Sequence, residues 1–106
     1  DRDGLIWLDG EMVPWRDAKT HVLTHTLHYG MGVFEGIRAY ETDKGPAIFR
    51  LRDHVNRLYD SAKIYRMEIP YTVDELYDAC CEVFTRNVPR SAEPLVEINS
   101  RSRWQR

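Results

Sequence analysis

Residues 51–87 carry the pattern that most restricts how this chain can fold. Leu51, Val55, Leu58, Ala62 and Tyr65 recur at helical spacing, so their side chains share one face. That predicts a helix over 51–66. Pro70 cannot continue it. Thr72 followed by Glu75 has the form of a capping box, in which the hydroxyl accepts from the first turn of a new helix. The second helix has its own apolar stripe, Leu76, Ala79, Cys80, Val83 and Phe84, and Asn87 with Pro89 ends it. Two amphipathic helices need apolar surface to cover, and the preceding residues must supply it.

Those residues read as strands. In LIWLDGEMVPW the pair Asp9-Gly10 lies between apolar runs and suits a tight type I′ turn, because both residues tolerate positive φ. Pro14 marks a sheet edge or an early end to the second arm. Residues 16–32 are rich in Thr, His and Gly, with THTLHYGMG expected as a short helical turn and a glycine-punctuated loop. VFEGIRAYE and PAIFRL then form strands joined through TDKGP. Two hairpins followed by two helices give an α+β arrangement.

With 106 residues there is room for one domain with a modest core. A net charge of −2 supplies no electrostatic reason to expect nucleic acid or an anionic membrane as partner. No apolar run approaches a membrane span, and nothing has the form of a signal peptide. The cysteines, Cys80 and Cys81, are adjacent and lack metal-ligand spacing, which fits a reducing, cytoplasmic setting. The chain opens on Asp1, so its beginning is expected to be missing, and EINSRSRWQR loses the hydrophobic periodicity seen before it.

Three features bear on chemistry. If residues 33–40 are a strand, Phe34, Gly36, Arg38 and Tyr40 share one face, and Val33, Glu35, Ile37 and Ala39 the other. Gly36 inside a strand calls for a bulge or a close approach, and the planar fork of Arg38 suits a carboxylate. On spacing alone an edge strand with a solvated Arg38 is preferred to a ligand-facing wall. His21, His25 and His28 have helical spacing, but no second set of ligands follows, so backbone hydrogen bonds are preferred to a metal. Arg57 has Asp53 one turn away as an ion-pair partner, and a phosphate as the alternative; alone, the ion pair is preferred. No nucleophile elbow, phosphate loop or dinucleotide fingerprint is present, and Gly30-Met31-Gly32 precedes a strand, not a helix.

LHYGMGVFEGIRAY, within a longer run from Trp7 to Tyr40 and followed by GPAIFRLRDHVNRLYDSAKIYRM, closely resembles the start of branched-chain amino-acid aminotransferases. These are class IV, fold-type IV pyridoxal-phosphate enzymes. The resemblance covers about residues 5–87. D-amino-acid aminotransferases and aminodeoxychorismate lyases are relatives, but they lack VFEGIR. A non-catalytic small-molecule-binding module is the rival from another class.

The resemblance implies a small N-terminal domain over residues 1–89, with a strand forming one wall of the substrate pocket. Phe34 would pack against an aliphatic substrate side chain, and Gly36 would leave clearance beside the cofactor. Arg38 would organise polar contacts near the carboxylate-recognition groups. Tyr29 would reach into the pocket of a partner subunit, implying a homo-oligomer built from dimers. Arg57, in HVNRL, would hold the phosphate of pyridoxal 5'-phosphate, reversing the ion-pair preference. The implied reaction is transamination of leucine, isoleucine and valine with 2-oxoglutarate or glutamate, in branched-chain amino-acid biosynthesis. No catalytic residue is assigned within this chain. The family's Schiff-base lysine lies in a large C-terminal domain that is absent, and Lys19, Lys44 and Lys63 do not occupy its place. The family usually continues SAYIRPLVF, whereas this chain reads SAEPLVEINSRSRWQR, so residues 90–106 are expected to be an aberrant or truncated tail.

Overall fold

The computed structural model describes residues 3–88 in full and 96–98 in backbone. The first hairpin pairs β1 (Leu5–Leu8) with β2 (Glu11–Pro14), antiparallel, in the register Leu5 to Pro14 and Leu8 to Glu11. Asp9 and Gly10 both have positive φ, +50° and +93°, the conformation a type I′ turn requires. Gly10 is held to glycine twice over. Besides its φ, a Cβ there would stand 3.0 Å from the Tyr71 hydroxyl. Pro14 closes the strand, so its missing N–H costs no ladder bond within this two-stranded sheet.

A short 3₁₀ turn (Trp15–Asp17) leads to α1 (His25–Tyr29), which ends on Gly30 in the left-handed region, its N–H bonded to the Thr26 carbonyl. The second sheet has the order β3-β4-β5. β3 (Ala39–Thr42) runs antiparallel to β4 (Gly45–Phe49), and β5 (Val96–Ile98) runs parallel to β4 on its other edge. β4 is therefore central. Pro46, Ala47 and Ile48 are buried in succession, without the alternation of a one-sided strand. The parallel pairing of β5 is long-range, since β4 meets it only after two intervening helices.

Those helices are α2 (Leu51–Ile64) and α3 (Val73–Asn87). Thr72 accepts from the Glu75 N–H at 3.1 Å, so the cap expected from sequence is formed. Ile48, Leu51 and Val55 make the buried centre, with Tyr59, Leu76, Cys80 and Phe84 packed against it. Full burial of a side chain such as Leu51 is worth about 1.5–3 kcal/mol. Burial pushes the Cys80 thiol above its ordinary range, which keeps it protonated and a poor nucleophile. Asn87 links the layers: its Oδ1 accepts from the Leu5 N–H at 2.8 Å, and its Nδ2 donates to the Leu5 carbonyl at 2.8 Å and the Val83 carbonyl at 2.7 Å.

Two expectations require correction. The helix drawn over 51–66 stops at Ile64, and Tyr65 is exposed rather than part of the buried stripe. Arg66 turns into the left-handed region at φ +54°, and the Tyr65 and Arg66 amides close the end onto Ala62 and Lys63. The strand drawn over 33–40 is confined to Ala39–Thr42. Its partner is too short: the last cross-strand bond joins the Phe49 N–H to the Arg38 carbonyl at 2.9 Å. Arg50 then turns left-handed at φ +52° and α2 begins at Leu51. Residues 33–37 have no strand left to pair with. The tail expectation for residues 90–106 lies, β5 apart, outside the described residues. Among the described residues no helix is long and apolar enough to cross a membrane.

Candidate functional site

The site begins on α2. His54 and Arg57, three residues apart, lie on one face of this helix. The segment between α1 and β3 lays Glu35 against that face. Arg57 donates from Nε to Glu35 Oε1 and from Nη2 to Glu35 Oε2, both at 2.7 Å, the bidentate fork geometry. His54 Nδ1 lies 2.7 Å from the same Oε2. A carboxylate only accepts, so this imidazole nitrogen carries the proton and donates. The Glu35 side chain is 7% exposed, whereas that of Arg57 is 67% exposed. The hydrogen bonds from Arg57, then those from His54, hold the Glu35 carboxyl down at about 2 from an ordinary 4.5, against a smaller opposing effect of burial. The same carboxylate raises the Arg57 guanidinium further above its ordinary value.

The ion pair between Arg57 and Asp53 preferred on spacing is not formed. Asp53 accepts instead from Arg50 Nε at 2.8 Å, and Arg57 takes Glu35. Arg50 sits just before the helix, nearer to Asp53, while Glu35 offers two oxygens in the plane of the Arg57 fork. Sequence reasoning did not single out Glu35. The available signal was a lone acid beside a glycine in an otherwise apolar run.

Anchoring Glu35 fixes its neighbours. Phe34 is 88% exposed, and a Cβ built at Gly36 would meet nothing within 4 Å. Nothing within the described chain demands glycine at position 36. Arg38, at the mouth of β3, lines an apolar groove of about 560 Å³ together with Leu5, Trp7, Leu76, Val83 and Asn87. Phe34 is not among the residues lining it, so the single face on which spacing placed Phe34 with Arg38 is not made by a strand. Tyr29 ends α1, 75% exposed, with the His25 ring packed on it edge-on at 5.8 Å between centroids. Val22, Leu23 and Leu27 in the same segment are also largely exposed.

Two histidines of this segment, His21 and His28, bond the backbone, whereas His25 packs on Tyr29. His28 Nε2 is 2.6 Å from the Val22 carbonyl, and His21 Nδ1 accepts from the Leu23 N–H at 3.0 Å. Among the described residues no group of His, Cys, Asp and Glu is arranged to hold a metal. What the geometry does present is a largely exposed guanidinium oriented by a bidentate pair with Glu35. An anion-bearing ligand suits that arrangement.

The family model described as amino-transferase class IV matches residues 32–104, more than half of the chain. The chain belongs to this family. It is 63% identical over 102 residues to a branched-chain-amino-acid aminotransferase of Pseudomonas aeruginosa, covering 94% of this chain and 33% of the relative. Over 95 residues it is 55% identical to the Escherichia coli K12 enzyme of the same name, covering 88% of this chain and 31% of that one. A crystal structure of an Escherichia coli branched-chain amino acid aminotransferase superposes with a TM-score of 0.78 at 55% identity, over 81% of this chain and 28% of that chain. A branched-chain aminotransferase from the thermophilic archaeon Thermoproteus uzoniensis, with norvaline, superposes with a TM-score of 0.77 at 48% identity, over 81% and 29%. The class IV chain thus spans about a third of the length of the curated relatives it matches.

Proposed function

We propose that this chain is the small N-terminal domain, over residues 1–89, of a cytoplasmic pyridoxal-phosphate-dependent aminotransferase. The enzyme exchanges the amino group of leucine, isoleucine or valine with 2-oxoglutarate, in branched-chain amino-acid biosynthesis. The observation that carries the reading is 63% identity over 102 residues to a branched-chain-amino-acid aminotransferase, a span that includes the VFEGIR segment.

The residues present fit a phosphate-bearing cofactor. Glu35 occupies the Nε and inner Nη2 donors of Arg57, and the remaining guanidinium N–H groups are on a side chain that is largely exposed. Arg57 would hold the phosphate through them. The cofactor, when bound, supplies the electron sink for amino-group exchange. The residues of this chain bind and orient. Phe34 offers an apolar surface for an aliphatic side chain, and Gly36 leaves clearance next to it. Arg38 supplies a cation for the polar end of substrate. The exposed Tyr29, with Val22, Leu23 and Leu27, supports burial against a partner subunit in a dimer, since large apolar side chains grouped at a surface favour being covered. The proton-transferring lysine belongs to the larger remainder of the enzyme.

The test is transamination by the full-length enzyme with 2-oxoglutarate, comparing L-leucine with D-alanine. Leucine-dependent glutamate formation is expected. Activity on D-alanine alone would point to a D-amino-acid aminotransferase, and binding without turnover to a non-catalytic module.

A further inference from the structure

We propose that Glu35, braced by His54, is a positioning residue that aims the outer edge of the Arg57 guanidinium at the cofactor phosphate. The inference rests on the reading of Arg57 as the phosphate ligand. It goes beyond that reading by giving a defined task to a residue that neither sequence spacing nor family resemblance singled out.

A guanidinium has five N–H donors in one plane. Glu35 accepts from Nε and from one N–H of Nη2, both at 2.7 Å. The outer N–H of Nη2 and one N–H of Nη1 remain side by side as the end edge of the fork, and the second N–H of Nη1 lies on the third side of the plane. Two parallel bonds to a nearly buried carboxylate fix the orientation of that plane, as one bond would not. The carboxylate is itself fixed, because His54 Nδ1 donates to Oε2 from the preceding turn of the same helix. Arg57 is thereby held in one orientation although most of its side chain lies in solvent.

Two effects of Glu35 on a bound phosphate oppose each other. Its negative charge repels the anion. Its fork removes rotamer freedom from a long side chain that otherwise loses it on binding. The guanidinium cation stands between the two anions, so its attraction for the phosphate offsets the repulsion from Glu35. The orientation is not offset in this way, so it dominates. The sign is therefore diagnostic. A carboxylate acting only as a neutralising charge predicts tighter phosphate binding once it is removed; a positioning carboxylate predicts weaker binding.

The experiment measures dissociation constants of the full-length apoenzyme for pyridoxal 5'-phosphate and for pyridoxal, which lacks the phosphate. Glu35→Gln, Glu35→Ala and Arg57→Ala are compared with the wild type. Glu35→Gln keeps the shape and one acceptor, so it reports even if the alanine variant fails to fold; circular dichroism checks each variant. Both Glu35 variants are expected to weaken pyridoxal phosphate about tenfold, the order expected for losing a charge-assisted bidentate contact, with pyridoxal unchanged. Arg57→Ala is expected to abolish the preference for the phosphorylated compound. If Arg57→Ala does so while Glu35→Gln binds pyridoxal phosphate as tightly as the wild type or more tightly, the positioning role is overturned and the phosphate role stands. If Arg57→Ala leaves the preference intact, the phosphate role falls and the positioning role falls with it.

Discussion

Asn87→Ala is the most informative single perturbation of the fold, because one side chain holds a hairpin to a helix. It removes three hydrogen bonds, to the Leu5 N–H, the Leu5 carbonyl and the Val83 carbonyl, all at 2.7–2.8 Å. Each is worth about 0.5–1.5 kcal/mol net, and the solvent exposure of Asn87 places them at the low end of that range. Alanine returns roughly 0.6 kcal/mol in helix propensity. The net cost is then about 1–2 kcal/mol, concentrated where β1 meets α3. Hydrogen exchange reads this locally: protection of the Leu5 amide should fall about tenfold, since roughly 1.4 kcal/mol is a factor of ten. Asn87→Asp sharpens the test. It keeps an acceptor for the Leu5 N–H but turns a carboxylate towards two carbonyls at the negative end of α3, so it should be the more damaging change. Unchanged Leu5 exchange in Asn87→Ala, or wild-type protection in Asn87→Asp, would refute the clamp. Gly4 belongs to the same arrangement, because a Cβ there would stand 2.6 Å from Asn87 Oδ1.

Leu51→Ala, at a side chain 1% exposed, should cost about 2–5 kcal/mol in denaturant unfolding, whereas Ile64→Ala, on the exposed side of α2 in this chain, should stay within about 0.5 kcal/mol. The Glu35 carboxyl is held at about 2 when folded against an ordinary 4.5, so its stabilisation is complete above about 4.5 and is lost as pH falls towards 2. An acid titration of stability should show that loss, weakened by salt, and Glu35→Gln should remove it; a variant with the wild-type acid profile would contradict the assignment. The 106-residue chain alone should show no aminotransferase activity; an absorbance band of lysine-bound cofactor that borohydride abolishes would show otherwise.

Much of the fold was legible because its signals act between near neighbours. Asp9-Gly10 made its turn, Thr72 its cap, and the apolar stripes of α2 and α3 face the core, since each depends on φ preference or on bonds spanning a few residues. The candidate site was legible in part. Its residue types and the VFEGIR segment are in the chain as written, and they led to the family. The partner of Arg57 was not. Asp53 is four residues away and Glu35 twenty-two, and only the packing of the segment before β3 onto α2 brings the distant carboxylate to the fork.

Tertiary structure likewise started β3 only at Ala39, because β4 stops at Phe49 and leaves the residues before Ala39 without a ladder. It added β5 to the far edge of β4 and turned Asn87 from a helix stop into a clamp on Leu5. The sequence by itself determined where turns, caps and amphipathic faces lie, because covalent neighbours are always in reach of one another. Which strand finds a partner, and which acid meets Arg57, was decided only when folding placed distant groups within hydrogen-bond range.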